Sequence, residues 1–448
     1  MKVDLLNGKI RPTFFTLFAS AIGSTIITTV YSTVDMMCIG HHSGPDATAS
    51  IACVNPLWAL MFAPGVLAGV GGSVMMSNRK ASGNKDAANG YFTISFILAA
   101  LCAFIVALPF LFFPEPILKI FGAEGRVLQY SLEYIKPVAF IAPTFTLSAC
   151  LATFMRNDGE AFTPTVATAV GGVTNIILDL LLVFVFDLGV FGAGLATSIG
   201  QTVAFLILLS YFFTKKCDLK LTVPKNVGEK LYRISTLGAS AFIIEISSGL
   251  TVTVYNRIII SDFSNEHLAV YGTASTFVIM LICLFNGIGT ALQPLASFNY
   301  GACKPDRVRK ALSISLKLTL FLGVIFLVVC QAIPGAILKM YMDVNDAVMA
   351  IGPEIFRIYT LCIIMTGVSI TSTFFLQSIL KRGYSLIISL ARGLVFPLLF
   401  VFVLPLLFGK DAIWWSIPAA EAVTFILSLI FLLKGKKNLQ YPIFSEDI

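Results

Sequence analysis

Charge is what this chain has least of. Only 12% of its 448 residues are Asp, Glu, Lys or Arg, and histidine occurs three times. Between residues 14 and 433 there is no long polar stretch, only apolar runs broken by short basic loops. These absences exclude whole classes of function. With 57% hydrophobic residues and a mean hydropathy of +0.88, a chain of this size cannot present a water-soluble surface. A bilayer accepts such a surface and forces each spanning backbone into a helix, because its polar groups must pair internally. The histidines (His41, His42, His267) fall in expected external loops, and no H-E-x-x-H, P-loop or Asp-rich pair occurs, so nothing points to a membrane-embedded enzyme. No repeated filter-like loop suggests a channel. The basic excess of +7 is spread over short loops and makes no nucleic-acid patch.

Cysteine offers neither a disulfide framework nor metal spacing. Cys38, Cys53, Cys102, Cys150, Cys283, Cys330 and Cys362 lie inside apolar runs, and Cys217 and Cys303 lie in loops. They read as reduced, small hydrophobes. The first apolar run is too long for a cleaved signal peptide and is expected to stay as the first span.

What is there is a series of about twelve stretches of roughly 20 apolar residues, the length that crosses a bilayer. They are expected near 14–40, 49–75, 91–113, 131–154, 164–186, 189–213, 235–261, 267–293, 311–333, 353–378, 385–408 and 412–433. Pro56, Pro64, Pro143 and Pro294 fall within or beside them without forbidding a span. With the N-terminus inside, 23 of the 31 Lys and Arg residues fall on the inner side and seven on the outer. That bias places both termini in the cytoplasm of a plasma (inner) membrane protein.

The longest basic connection, Lys215 to Arg233, divides the chain into residues 1–213, a linker 214–233, and residues 234–448. The two parts echo each other. Gly69, Gly71 and Gly83 recur as Gly287, Gly289 and Gly301 at an offset of 218; Gly189, Gln201 and Phe205 recur as Gly409, Glu421 and Phe425 at an offset of 220. Six spans per part gives both parts one orientation, the parallel-repeat case with a pseudo-two-fold along the membrane normal.

Carboxylates at bilayer depth cost roughly 2.5–3.5 kcal/mol on insertion scales and mark function by default. Asp35, Asp179, Glu245 and Glu421 are so placed. At about 1.5 Å per residue, Asp35 lies roughly 9 Å in from His41, and Asp179 and Thr197 each lie about 12 Å in from Asp187 and Gly189. Asn175 shares the face of Asp179, and Gln201 that of Thr197. Such a set of hard oxygens suits Na⁺ or a proton shared between the acids. Thr197 and Gln201 taken alone read more simply as helix-to-helix hydrogen-bonding groups. The second part has no such cluster. Glu245 is open to two readings, an ion pair with Arg392 or a transport role, and Glu421 is expected to pair with Arg257 or Arg357.

At these residues the chain resembles the MATE (multidrug and toxic compound extrusion) transporters of the MOP flippase superfamily. The resemblance rests on Val34-Asp35-Met36-Met37-Cys38-Ile39-Gly40, on Arg156-Asn157-Asp158-Gly159, on Asn175-Ile176-Ile177-Leu178-Asp179, and on Gly192-Ala193-Gly194-Leu195-Ala196-Thr197. It extends to Pro294-Leu295-Ala296-Ser297-Phe298-Asn299-Tyr300-Gly301, Phe374-Phe375-Leu376-Gln377-Ser378 and Pro418-Ala419-Ala420-Glu421. It implies an all-α protein of twelve spans in two six-helix lobes, working as an antiporter that exports organic, cationic, lipophilic compounds against H⁺ or Na⁺. It implies Asp35, Asn175, Asp179 and Thr197 as the coupling site, with Gln201, Glu245 and Asn157 secondary. No cofactor and no nucleic acid are expected, and the partners are a small organic molecule and the lipid bilayer around a monomer. Glu245 matches a seventh-span acid that one branch of the family pairs with a tenth-span Asp, but here no Asp or Glu occurs between Glu354 and Asp411. A lipid-linked oligosaccharide flippase of the same superfamily is the near alternative. It would need a basic cavity for diphosphate, whereas the first part of this chain is acidic at depth.

Overall fold

The structure, a computed structural model, describes residues 3–214, 217–341, 346–437 and 439; Lys215 and Lys216 of the basic connection lie outside them. Among the described residues, twelve helices are long and apolar enough to cross a membrane. They are α1 (Ile10–Ser43), α2 (Asp46–Ala81), α3 (Lys85–Phe112), α4 (Gly125–Asn157), α5 (Phe162–Val185), α6 (Gly189–Phe213), α7 (Val227–Ile259), α8 (Glu266–Gly301), α9 (Pro305–Ala332), α10 (Val348–Ser378), α11 (Arg382–Phe408) and α12 (Lys410–Lys437). No strand occurs among the described residues. Most helices outrun the apolar stretches in the sequence, because polar turns continue them past the hydrocarbon. α3, for example, starts at Lys85, where the Asn84 side chain accepts a hydrogen bond from the Ala87 N–H.

Two compact units emerge: Met1–Gly8 with Ala19–Glu245, and Lys9–Phe18 with Ile246–Ile448. In the first, α2 packs on α3 and α4, α3 on α4, and α6 on α4 and α5. In the second, each pairing recurs six spans later: α8 with α9 and α10, α9 with α10, and α12 with α10 and α11.

Local backbone geometry gives the register of this repeat. α2 ends where Gly83 takes a left-handed conformation, with Gly83 N bonded to Lys80 O and Asn84 N to Arg79 O. α8 ends the same way at Cys303, with Cys303 N to Tyr300 O and Lys304 N to Asn299 O. Both are Schellman caps, and every atom pair is displaced by 220 residues. Phe113 (φ −134°, ψ 48°) and Ile333 (φ −129°, ψ 45°) each precede a short helix, Pro114–Ile120 and Pro334–Tyr341. Gly189 and Gly409 both have positive φ. The turn after α4 matches the turn after α10 at 221, Gly159 against Leu380. The match of Gly83 to Gly301 read from the sequence is therefore two residues off. The left-handed position in the second unit is held by Cys303, a residue with no glycine signal.

Two contacts in the first unit orient the ends of its helices. His42 Nε2 and Asp187 Oδ1 lie 2.8 Å apart, tying the end of α1 to the turn between α5 and α6. At the other end, Lys80 Nζ donates to Asp158 Oδ1 (2.5 Å) and to Asp218 Oδ2 (3.0 Å), bringing together the connections that follow α2, α4 and α6.

Candidate functional site

The first unit is built to bring α4, α5 and α6 into close contact. A Cβ on Gly194 would sit 2.4 Å from the Tyr134 carbonyl oxygen, so α6 meets α4 backbone to side-chain-free backbone. Cβ atoms on Gly171 and Gly200 would each lie 2.7 Å from the other residue's carbonyl. Such small-residue contacts are the usual means of close helix approach in lipid, where no hydrophobic force pulls helices together. Their result is to set Tyr134 and Asn175 on either side of Thr197.

The polar groups form a chain. Tyr134 Oη donates to Asp35 Oδ2 at 2.9 Å and lies 3.3 Å from Thr197 Oγ1. Asn175 Nδ2 donates to Thr197 Oγ1 at 3.3 Å. Asp179, one turn beyond Asn175, is fully buried, and a π-helical segment, Leu180–Val185, follows it directly. π-bulges are frequent at functional sites because they re-aim the side chains beside them. The His42–Asp187 contact brings the end of α1 to the level of the turn between α5 and α6.

What remains unpaired defines the chemistry. Asp35 Oδ1, Asn175 Oδ1 and both oxygens of Asp179 are buried without a hydrogen-bond partner. A buried acceptor left unmade costs about 1–3 kcal/mol, and more when charged. Four such oxygens on three neighbouring side chains, with no Lys or Arg paired to either acid among the described residues, form a cradle for a proton or a small hard cation. The donor set fits Na⁺: two carboxylates, an amide oxygen and a hydroxyl, without soft ligands. No group of three or more His, Cys, Asp or Glu suited to a metal ion occurs among the described residues.

A cavity of about 320 Å³ adjoins this cluster through Asn175 and Thr197. Its walls include Tyr31, Phe62, Phe145 and Gln201, and Arg156 stands on it as well. Arg156 Nη2 donates to Ser24 Oγ at 3.2 Å, and its Nε is buried without a partner. Arg156 lies beyond the expected span 131–154, but the helix runs to Asn157 and carries it onto the cavity, so the first unit is less purely acidic than its sequence suggests.

The other sequence-derived residues lie elsewhere. Gln201 donates to Ser148 Oγ (3.1 Å) and to the Thr144 carbonyl (3.4 Å), bracing α6 on α4. Asn157 donates to Ser73 Oγ (3.0 Å) at the far end of α4, about 34 Å along the helix from Tyr134. Glu245 is on α7. Arg392 Nε donates to Glu421 Oε1 at 2.9 Å, so its carboxylate partner is Glu421, not Glu245, and Glu421 turns to neither Arg257 nor Arg357. Pairing across helices depends on which way each side chain faces, and depth along the sequence does not supply that angle. Tyr134 is the residue that sequence reasoning missed. The expected span began at Ser131, which put Tyr134 near the interface; the helix begins at Gly125, which puts it about 14 Å in, level with the acids.

Comparison with known proteins matches the MatE family model to residues 20–181 and 239–403, two segments that begin 219 residues apart. The chain belongs to the MatE family. It is a membrane transporter rather than an enzyme. It is 27% identical over 425 residues to the multidrug export protein MepA of Staphylococcus saprophyticus, covering 93% of this chain and 92% of that protein. To MepA of Staphylococcus aureus it is 27% identical over 428 residues, covering 92% and 91%. Among solved structures it resembles the outward-facing conformation of a multidrug resistance MATE family transporter of the MOP superfamily (TM-score 0.88, 19% identity, 98% of both chains). It also resembles a MOP superfamily transporter from Pyrococcus furiosus, described as having a binding pocket of reverse polarity (TM-score 0.89, 19% identity, 98% of this chain and 99% of that one). The fold is that of the MATE transporters.

Because α6 meets α4 at Gly194, even one methyl group there should part the helices. Gly194→Ala is expected to lower thermal stability by about 1–3 kcal/mol, as overpacking does. It should also cut efflux, by moving Thr197 off Tyr134. The control is Ile199→Ala at an exposed position of the same helix, which adds no volume and keeps a good helix former; matched losses in both variants would contradict the contact.

Proposed function

We propose that this chain is a multidrug efflux antiporter that exports lipophilic, cationic organic compounds in exchange for inward H⁺ or Na⁺. The coupling ion binds at Asp35, Asn175, Asp179 and Thr197, with Tyr134 holding Asp35 in place. The single observation that carries this reading is the set of four buried, partnerless acceptor oxygens. A site that lacks donors gains by taking up a cation, and a bound cation changes the charge that an organic cation meets in the neighbouring cavity. Coupling then follows from linkage: two cations that favour different conformations of one protein drive each other across. The relatives named for multidrug export support the export of drugs.

The test is efflux from proteoliposomes carrying an imposed Na⁺ gradient or an imposed H⁺ gradient, with ethidium as cargo. One of the gradients is expected to drive export of ethidium and its dissipation to stop it. Equal export with neither gradient would reject antiport.

The two six-helix lobes and the linker, residues 1–213, 214–233 and 234–448, are placed in the inner membrane with both termini cytoplasmic and the chain acting as a monomer. The charge bias supports this orientation, and the meeting of the connections after α2, α4 and α6 around Lys80 supports their lying on one side of the membrane. Lys220 is exposed. A cysteine at position 220, in a chain freed of other reactive thiols, should label with a membrane-impermeant maleimide only after the inner face is opened. Labelling in intact cells would reverse the topology.

A further inference from the structure

In the register fixed by the turns, Arg392 stands where the first unit has Gly171 (offset 221) or Gly172 (offset 220), and Glu421 stands where it has Gln201 (offset 220). Gly171, Gly172 and Gln201 all line the cavity of the first unit. At the corresponding place in the second unit, then, two neutral positions are replaced by a guanidinium and a carboxylate, and these bond to each other.

The fold does not require this pair. The first unit has the same helix pairings with glycine and glutamine there, and a buried ion pair often stabilises no more than neutral packing would. The pair is also incomplete. Arg392 makes one side-on contact through Nε rather than a two-pronged fork, the stronger mode for guanidinium and carboxylate. Glu421 is only 8% exposed, and its Oε2 is buried with no partner. Arg392 itself lies in a π-helical segment, Ala391–Val395, where the Gly393 carbonyl turns aside to accept from Thr251 Oγ1 at 3.0 Å. A carboxylate with a spare buried oxygen, held through one bond by a side chain on a widened turn, is an occupied cation site.

We propose that Glu421 is a second cation-binding carboxylate of this transporter, filled in this structure by Arg392 as a tethered cation, and that planar organic cations of the amidinium and guanidinium class compete with Arg392 for it. It is separate from the coupling site of the first unit and does not rest on it. The ligand class follows from what the site already holds: a flat, delocalised cation whose N–H groups match a carboxylate. An amidinium offers two parallel N–H groups and reaches both Oε1 and Oε2, whereas Arg392 serves only one.

The experiment uses the full-length chain in detergent with Asp35→Asn and Asp179→Asn in the background, so that the first-unit carboxylates contribute nothing. The probe is p-aminobenzamidine, whose fluorescence rises on leaving water. Adding Arg392→Ala is expected to tighten its binding at least tenfold, and adding Glu421→Gln to that is expected to abolish the gain. No tightening in a folded Arg392→Ala chain, or tightening that survives Glu421→Gln, would overturn the proposal. Should Arg392→Ala fail to elute as a folded monomer, Arg392→Gln carries the same expectation, because its neutral amide removes the tethered cation; an unchanged affinity there would also overturn it. Loss of gradient coupling in the parent chain would bear only on the first-unit site, and the two claims fail separately.

Discussion

Asp35→Asn and Asp179→Asn are each expected to abolish gradient-driven efflux while leaving the chain inserted and folded. Asp179 carries two of the four partnerless oxygens and Asp35 a third, so each substitution removes a charge that only a bound cation balances. Neither acid is joined to a Lys or Arg among the described residues, so no partner charge is stranded. Relieving a buried, uncompensated carboxylate should cost no stability and should slightly raise it. The two positions still differ. Asp35→Asn keeps an acceptor for the Tyr134 hydroxyl, whereas Asp179→Asn places two amide protons among groups that are already acceptor-rich, beside Asn175. Thermal stability of Asp179→Asn is therefore expected to equal or exceed that of the wild type, with efflux reduced at least a hundredfold in both. Efflux within a few-fold of wild type in both variants would contradict the site.

The second large effect lies in the other unit. Glu421→Gln leaves the Arg392 guanidinium buried without its counter-charge, and Arg392→Gln strands the Glu421 carboxylate. Each is expected to destabilise by about 3–5 kcal/mol, whereas the double substitution should cost much less than the sum. The measurement is a double-mutant cycle on thermal unfolding in detergent. Additive losses would show that the 2.9 Å contact carries no coupling, and a Glu245→Gln variant that couples to Arg392 more strongly than Glu421→Gln does would favour the Glu245–Arg392 pair, one of the two readings the sequence leaves open.

These two regions also show how much the sequence makes legible. Span number follows from apolar runs, because a bilayer leaves few alternatives to the helix. Span length does not, because turns such as Arg79–Asn84 continue helices beyond the hydrocarbon through capping rather than hydrophobicity. The internal repeat is visible in glycines, but its register rests on backbone conformation, and Cys303 and Leu380 hold left-handed positions that no composition rule reveals. Asp35, Asn175, Asp179 and Thr197 were found together because depth along a helix is a one-dimensional quantity that sequence carries well. Tyr134 escaped because one helix start was misplaced by six residues. The partner of Arg392 escaped because a pair between helices depends on rotation about their axes. Arg156 escaped because a residue counted as a loop cation turns out to stand on a cavity wall.

The measurement that bears most directly on the coupling site is the stoichiometry of cation binding to the purified full-length chain. ²²Na⁺ retained and protons taken up are read together in one pH-stat titration, for wild type and for the Asp35→Asn/Asp179→Asn chain. The wild type is expected to show a saturable site for Na⁺ or H⁺ that is missing from the doubly substituted chain. Identical uptake by the two chains would contradict the assignment of that site to Asp35 and Asp179.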